Sequence, residues 1–486
     1  MRRISDNLTN RISKIPMVMV VAPFALGIFF ADRVEVSPWL LAAICVVMFG
    51  GVVWLSEWWR RVALLNLIFA VGALLHTLSY RGEVEYLRPV EMVLEIETTS
   101  VVRGSYTSSE ASVESSAERT LEGCRVMVWG DSLTRFRAGD RLRLTTPLRP
   151  FRAEREQYAR LMFHRGFVGA ISINHNTPFE YIPAIRESLH DRAVARLRGS
   201  MQEGEARAVV LAMATGERST LSNELRQNYS ASGASHLLAV SGLHIGIAFM
   251  LINILLLPLV LLRYGNVWRS VLAVAMIWLY VWLCGVSPSA VRAAIMFSLL
   301  QLSLSSLYDY VGVNILAGTA FAMLAFDSHL LFDISFQLSF VAVAAIVVWA
   351  VPFYLLCATK YKVVNSIVGV LFVGVASTLA TMPLVANTFS TISLVGIFIN
   401  PIVILLANVV VLAGVVAIVL PFMGVVAEGA ATLQNRVVEW AASLPYGHFD
   451  ITMPEWAMWM LYFLFVATTL LVWLMPKREK KVEIEG

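Results

Sequence analysis

One pattern constrains this chain above all others: apolar runs close to the length of a bilayer crossing recur along it. They lie at about 16–31, 38–56 and 62–79, then at about 236–262, 268–285, 286–307, 311–327, 330–357, 364–388, 392–420 and 456–475. A helix needs roughly 20 apolar residues to cross the hydrocarbon core. The backbone there must satisfy its own hydrogen bonds, which favours helices. Of 486 residues, 58% are hydrophobic and 15% charged, where a soluble domain carries about a quarter charged. The expected fold is a polytopic α-helical membrane protein of about 10–12 spans.

Residues 81–200 interrupt this pattern and contain no run long enough to span. Alternation at 92–102, 124–130 and 140–148 predicts strands. The Ser-, Glu- and Thr-rich stretch 103–120 reads as a flexible loop, and a helix is expected near 153–164. A small β-barrel, OB-like among other allowed barrels, fits this length. The division predicted is 1–80, about three N-terminal spans; 81–183, the barrel; 184–235, an amphipathic helical connector; 236–476, a helical membrane domain; and 477–486, a basic tail.

Arg2, Arg3, Arg11 and Lys14 precede the first run, so the positive-inside rule places the N-terminus in the cytoplasm and the insert outside. By the same rule Arg263, Arg269, Lys360 and Lys362 are inner. The three runs after Lys362 would then leave the tail KREKK (477–481) outside, against the rule. Asn400-Pro401 offers a break that would turn 392–420 into a re-entrant pair.

Four polar clusters interrupt the apolar runs: His236, Ser241, Gly242 and His244; Arg292 behind Pro288; Asp333, Ser335, Gln337 and Ser339; and Asn400. Polar groups at membrane depth are costly and usually face a bundle interior or a water-filled path. Arg292 either snorkels to a headgroup or meets an anion inside. Asp333 either pairs with it or caps the helix starting near Ile334. Ser241 with His244 as base would suit an intramembrane serine hydrolase, but Ser and Gly at this spacing also serve as helix-packing contacts, and pore lining or packing is preferred. His236 and His244 do not make a metal pair, and no cofactor is expected. The four cysteines (Cys45, Cys124, Cys284, Cys357) form no readable disulfide framework.

Between 125 and 165 ten arginines face four acids, a net +6, with aromatics interleaved. Arg135, Arg137, Arg141, Arg143, Arg149 and Arg152, with Phe136, Phe151 and Tyr158, suit a phosphate backbone with stacked bases. The same basic face would also suit the anionic headgroups of the lipid bilayer. No Gly-Lys dipeptide occurs, so no P-loop is present, and no His-x-His metallonuclease pattern either.

HLLAVSGLHIGI (236–247), GVSPSAVRAAIMFSLL (285–300), LLFDISFQLSFVAV (330–343) and SLVGIFINPIVI (393–404) occur in the order of one family's motifs. Together they resemble the ComEC competence proteins, inner-membrane channels for DNA uptake. The polar insert is similar to that family's external OB-like domain. The resemblance covers roughly 60–475 and implies a channel that moves single-stranded DNA into the cytoplasm during natural transformation. It implies location in the bacterial cytoplasmic membrane, a cytoplasmic ATPase or helicase as motor, and an extracytoplasmic DNA receptor or pilus. A homodimer and a single-chain pore stay equally open. Many members carry a C-terminal metallo-β-lactamase-like domain that has no counterpart before Gly486, so their nuclease activity is not expected of these residues. A small-molecule permease is the third reading, and the Arg-rich module argues against it.

Overall fold

The computed structural model describes residues 16–474, apart from 80–85, 104–105, 132–134, 152–158, 160–161, 164, 175–176, 184–188, 239, 305–311, 358, 360, 390, 394, 445–447 and 452. The chain is mostly helical and polytopic. Among the described residues six helices are long and apolar enough to cross a membrane, and four shorter apolar helices accompany them.

Three helices open the fold: α1 (Pro16–Arg33), α2 (Pro38–Trp54) and α3 (Glu57–Ser79). α1 and α3 cross at two glycines. A Cβ on Gly27 would overlap the Phe69 carbonyl, and one on Gly72 the Phe24 carbonyl. Small residues thus allow backbone contact between apolar helices, where lipid removes the hydrophobic drive to associate.

The polar insert is one mixed seven-stranded sheet: β1 (Tyr86–Ile96), β2 (Val101–Arg103), β3 (Tyr106–Ser116), β4 (Arg125–Asp131), β5 (Arg141–Leu148), β6 (Phe167–Ile173) and β7 (Phe179–Ile182). Its order is β6-β4-β3-β1-β5-β7, with β2 on β3 and the β4–β6 pair parallel. Arg149 and Ala170 exchange both backbone hydrogen bonds, joining the end of β5 to β6. The stretch expected to be a flexible loop is β3, at the middle of the sheet. Its inward positions are Thr107, Ser109, Ala111 and Val113, small or hydroxylated side chains that hide the alternation. Ser109 is satisfied inside by Ser100, Oγ to Oγ at 2.7 Å. The helix expected near 153–164 falls largely outside the described residues.

Next come α4 (Leu189–Gly199), α5 (Glu205–Thr215) and α6 (Asn223–Ala231). α5 is not two-faced as its pattern suggests: Ala208 through Thr215 are all buried. It forms the centre of the largest core, enclosed by α14 (Val395–Ala417) and α15 (Met423–Ala442).

Between α6 and α14 lie α7 (Gly242–Leu255), α8 (Gly265–Leu283), α9 (Pro288–Leu304), α10 (Gly312–Phe326), α11 (Ile334–Ala345), α12 (Val351–Cys357), α13 (Lys362–Phe389) and the short β8 (Thr391–Ser393). A π-turn at Ile346–Ala350 links α11 to α12. After α15 come β9 (His448–Asp450) and α16 (Glu455–Leu474).

Two expectations change here. The run 236–262 is not one continuous helix, because a 3-10 turn at Ser235–Leu238 precedes α7 and another follows at Leu257–Leu261. Nor does Asn400-Pro401 break 392–420. α14 runs through Pro401, and its buried residues Ile399, Val403, Ala407, Val410 keep one helical face. Packing of that face against α5 and α15 holds the helix together despite the lost amide donor. β8 pairs with β9, so the α14–α15 hairpin begins and ends together. The return is made by α15, which packs along α14.

Candidate functional site

α7 starts at Gly242 because Ser241 lies in extended conformation (φ −108°, ψ 168°) and serves as N-cap. The Ser241 backbone N–H donates to His244 Nδ1 at 3.2 Å. His244 plays the part that Glu takes in a capping box. Nδ1 is therefore the acceptor and Nε2 carries the proton. His244 is fully buried, and among the described residues its Nε2 has no hydrogen-bond partner. His236 is on the preceding 3-10 turn. It is exposed.

α9 brings Arg292 to the same place. Its Ser289 hydroxyl donates to the Val240 carbonyl, and Ala293 packs where a Cβ on Gly242 would point. Arg292 is 3% exposed. Its Nη2 donates to Ser335 Oγ at 3.1 Å, while among the described residues Nε and Nη1 are buried without partners. Asp333 acts on it electrostatically without forming an ion pair. The Asp333 carboxylate instead caps α11, accepting from the Phe336 N–H at 3.0 Å. Of the two sequence readings for Asp333, capping is the one seen.

Gln337 is turned away, its Nε2 donating to the Leu331 carbonyl at 2.9 Å. Asn400 lies on α14, one turn after Gly396, where the chain passes close to the Ser232 carbonyl. Among the described residues its buried Oδ1 is unpartnered. The structure thus packs Ser289 and Ala293 of α9 against the Val240–Gly242 turn at the start of α7, while Arg292 of the same helix reaches Ser335 on α11, a seam of three helices.

Chemically, this is a buried seam rich in donors. A buried guanidinium with two open nitrogens among the described residues can meet an anion. A buried unpaired donor costs about 1–3 kcal/mol, and more when charged. For acyl transfer the arrangement is poor, since His244 Nδ1 is occupied by a backbone N–H and Ser241 Oγ contacts no imidazole. Among the described residues no group of three or more His, Cys, Asp or Glu could hold a metal ion.

The sheet rearranges the expected nucleic-acid surface. Phe136 and Phe151 are core residues, 4% and 7% exposed, so neither can stack on a base in this conformation. Phe136 lies edge-on to Phe179, and Phe151 packs with Met127 and Phe167. Arg152 and Tyr158 lie outside the described residues. Arg141 and Arg143 point outward from β5, but Glu114 and Glu180 pair with them at 2.8 and 3.4 Å. Arg125 binds both Glu97 and Glu110 at 2.8 Å, and Arg165 binds Glu110. The +6 of the segment is therefore largely neutralised by acids from other strands. Arg135, Arg137 and Arg149 are exposed and form no salt bridge among the described residues.

The exposed aromatics are ones the sequence did not single out: Tyr106 (packed edge-on against Trp129), Phe179 and Tyr181. The Tyr181 hydroxyl donates to Asp140 Oδ2 at 3.0 Å. Partial burial, and then that bond, raises its pKa above the ordinary value.

A further polar cluster escaped the sequence. His76 on α3 is 1% exposed. Its Nδ1 is 3.0 Å from Ser328 Oγ, its Nε2 3.6 Å from Asp32, and its ring 4.9 Å from that of His329. It joins the N-terminal helices to the turn before α11. Two single histidines, 76 and 329, in apolar surroundings carry no local signal of such a meeting.

The family model for competence proteins ("Competence protein") matches residues 213–476. That range holds Ser241, His244, Arg292, Asp333 and Asn400, and excludes the sheet. ComE operon protein 3 of Bacillus subtilis is 27% identical over 46% of this chain and 27% of its own length. An uncharacterized Escherichia coli protein, YcaI, is 26% identical over 59% of this chain and 40% of its own. An uncharacterized Aquifex aeolicus protein is 28% identical over 45% of this chain and 49% of its own. The aligned segments thus span between about a quarter and half of these relatives. No solved structure matches the chain. With a family model covering more than half of it, the chain belongs to the competence protein family.

Proposed function

We propose that this chain forms a channel that passes single-stranded DNA across the bacterial cytoplasmic membrane during natural transformation. The observation that carries the proposal is Arg292, buried between α9 and α11, hydrogen-bonded to Ser335 and, among the described residues, left with two open nitrogens. A buried cation held without a carboxylate contact is costly and suits a path for phosphates. About ten crossings follow if the four shorter apolar helices also span.

Moving each nucleotide charge inward costs about 2.3 kcal/mol per 100 mV. With no P-loop in these residues, the reading calls for a separate cytoplasmic ATPase or helicase, and for a DNA receptor or pilus outside. The sheet would be a small closed barrel of OB type, a reading supported by the Arg149–Ala170 bridge between β5 and β6. It would collect the strand on Arg135, Arg137 and Arg149 beside Tyr106 and Tyr181. The test is transformation frequency in Arg292→Ala cells whose protein reaches the membrane in normal amount. Loss of at least about a hundredfold is expected, and unchanged transformation contradicts the proposal; a hundredfold corresponds to roughly 2.7 kcal/mol.

A further inference from the structure

We propose that α7, α8 and α9 hold the headgroup of an anionic phospholipid in a cavity at the end of their bundle away from Arg292. The cavity measures about 530 Å³, within the roughly 300–1,000 Å³ of small-molecule sites. Gln301, which lines it, lies nine residues after Arg292 on α9, about 14 Å along the axis. It is therefore separate from the seam, and the assignment does not depend on DNA being the cargo.

Arg269 supplies the charge. It lies in the second turn of α8, and among the described residues its Nε is buried without a hydrogen-bond partner and no carboxylate lines the cavity. Next to it Gln301 Nε2 donates to Ser270 Oγ at 3.0 Å, and that hydroxyl donates to the Asn266 carbonyl at 2.9 Å. The polar floor is thus ordered before a ligand arrives. The walls are apolar: Met250 and Ile254 line the cavity and are themselves exposed on the outer face of α7. The mouth opens among lipid-facing side chains.

Its depth is the membrane interface. Tyr264 and Trp268 are exposed at the start of α8, and the Arg263 guanidinium lies over the Tyr264 ring at 5.3 Å. Aromatics beside arginines at the end of a span mark the headgroup level, and the arginines favour the cytoplasmic leaflet. A phosphodiester on Arg269 with its glycerol and upper acyl carbons along Met250 and Ile254 matches both halves of the lining. A free inorganic anion would use only the floor.

The test is native mass spectrometry of the full chain in detergent with added phosphatidylglycerol. The wild type is expected to retain one lipid, and Arg269→Gln to bind it about tenfold more weakly, with phosphatidylcholine also about tenfold weaker than phosphatidylglycerol. Ile254→Trp, which fills the apolar wall and leaves Arg269 in place, should weaken retention too. Equal retention in both variants, or no preference between the two lipids, overturns the proposal. Displacement of phosphatidylglycerol by an oligothymidylate assigns the cavity to nucleic acid instead, and displacement by millimolar inorganic phosphate assigns it to the free anion; either overturns it.

Discussion

Arginine occurs in two regions of this molecule under opposite conditions. On the sheet Arg125, Arg141, Arg143 and Arg165 are partly exposed and paired with glutamates from neighbouring strands. In the helical domain Arg292 is buried, hydrogen-bonded once, and left with two open nitrogens. Exposed pairs contribute little to stability, about 0–1 kcal/mol, and leave little charge for a ligand. A buried, incompletely paired cation destabilises the fold, and it persists where something else uses the charge. The density of arginine in the sequence therefore points to the sheet, while its local environment points to the bundle.

The comparison breaks most sharply at Arg292. Arg292→Leu should abolish transformation while leaving thermal unfolding of the purified protein unchanged or slightly raised, because a buried ionic group replaced by an apolar one of similar size is often neutral or stabilising. A variant that unfolds early and still transforms would assign Arg292 to structure.

The second effect concerns the sheet. The triple variant Arg135→Ser, Arg137→Ser, Arg149→Ser should lower the salt slope of single-stranded DNA binding by about 2, from about 0.7 per phosphate contact. Arg141→Ser with Arg143→Ser should change it much less, since Glu114 and Glu180 already engage those side chains. Equal losses in the two sets, measured by titration at several salt concentrations, would erase the distinction between paired and free arginines.

A smaller effect is expected at His76. Its replacement by Leu removes the contact to the buried Ser328 hydroxyl and the approach to Asp32, a cost of about 1–3 kcal/mol. The thermal midpoint should fall without loss of the Arg292-dependent step. Ser241→Ala should have the least effect, lowering transformation by less than about twofold, or roughly 0.4 kcal/mol. Complete inactivation there, with fluorophosphonate labelling lost as well, would revive the hydrolase reading.

Much of the fold was legible because periodicity and length are local. The apolar helices, the polar insert and the strands β1, β4 and β5 all follow from it. What was not legible depends on partners far away in sequence. β3 carries Thr107 and Ser109 inward, which look like loop residues until Ser100 satisfies one of them. α5 looks two-faced until α14 and α15 close over its second side. Pro401 looks like a break until the face through Ile399 and Val403 is packed. At the site, Arg292 and the Ser241–His244 pair stood out as polar residues in apolar runs. The pairing of Arg141 with Glu114 could not be foreseen, nor could the burial of Phe136, because both depend on sheet register and on β7.

The central claim is that DNA passes the Arg292 seam. A photo-crosslinking amino acid at Ser335, which receives the Arg292 hydrogen bond, tests it directly in cells stalled during uptake of labelled DNA. Crosslinks to DNA are predicted at Ser335 and none at Met250, on the lipid-facing side of α7. DNA crosslinked at Met250 and absent at Ser335 would contradict the account.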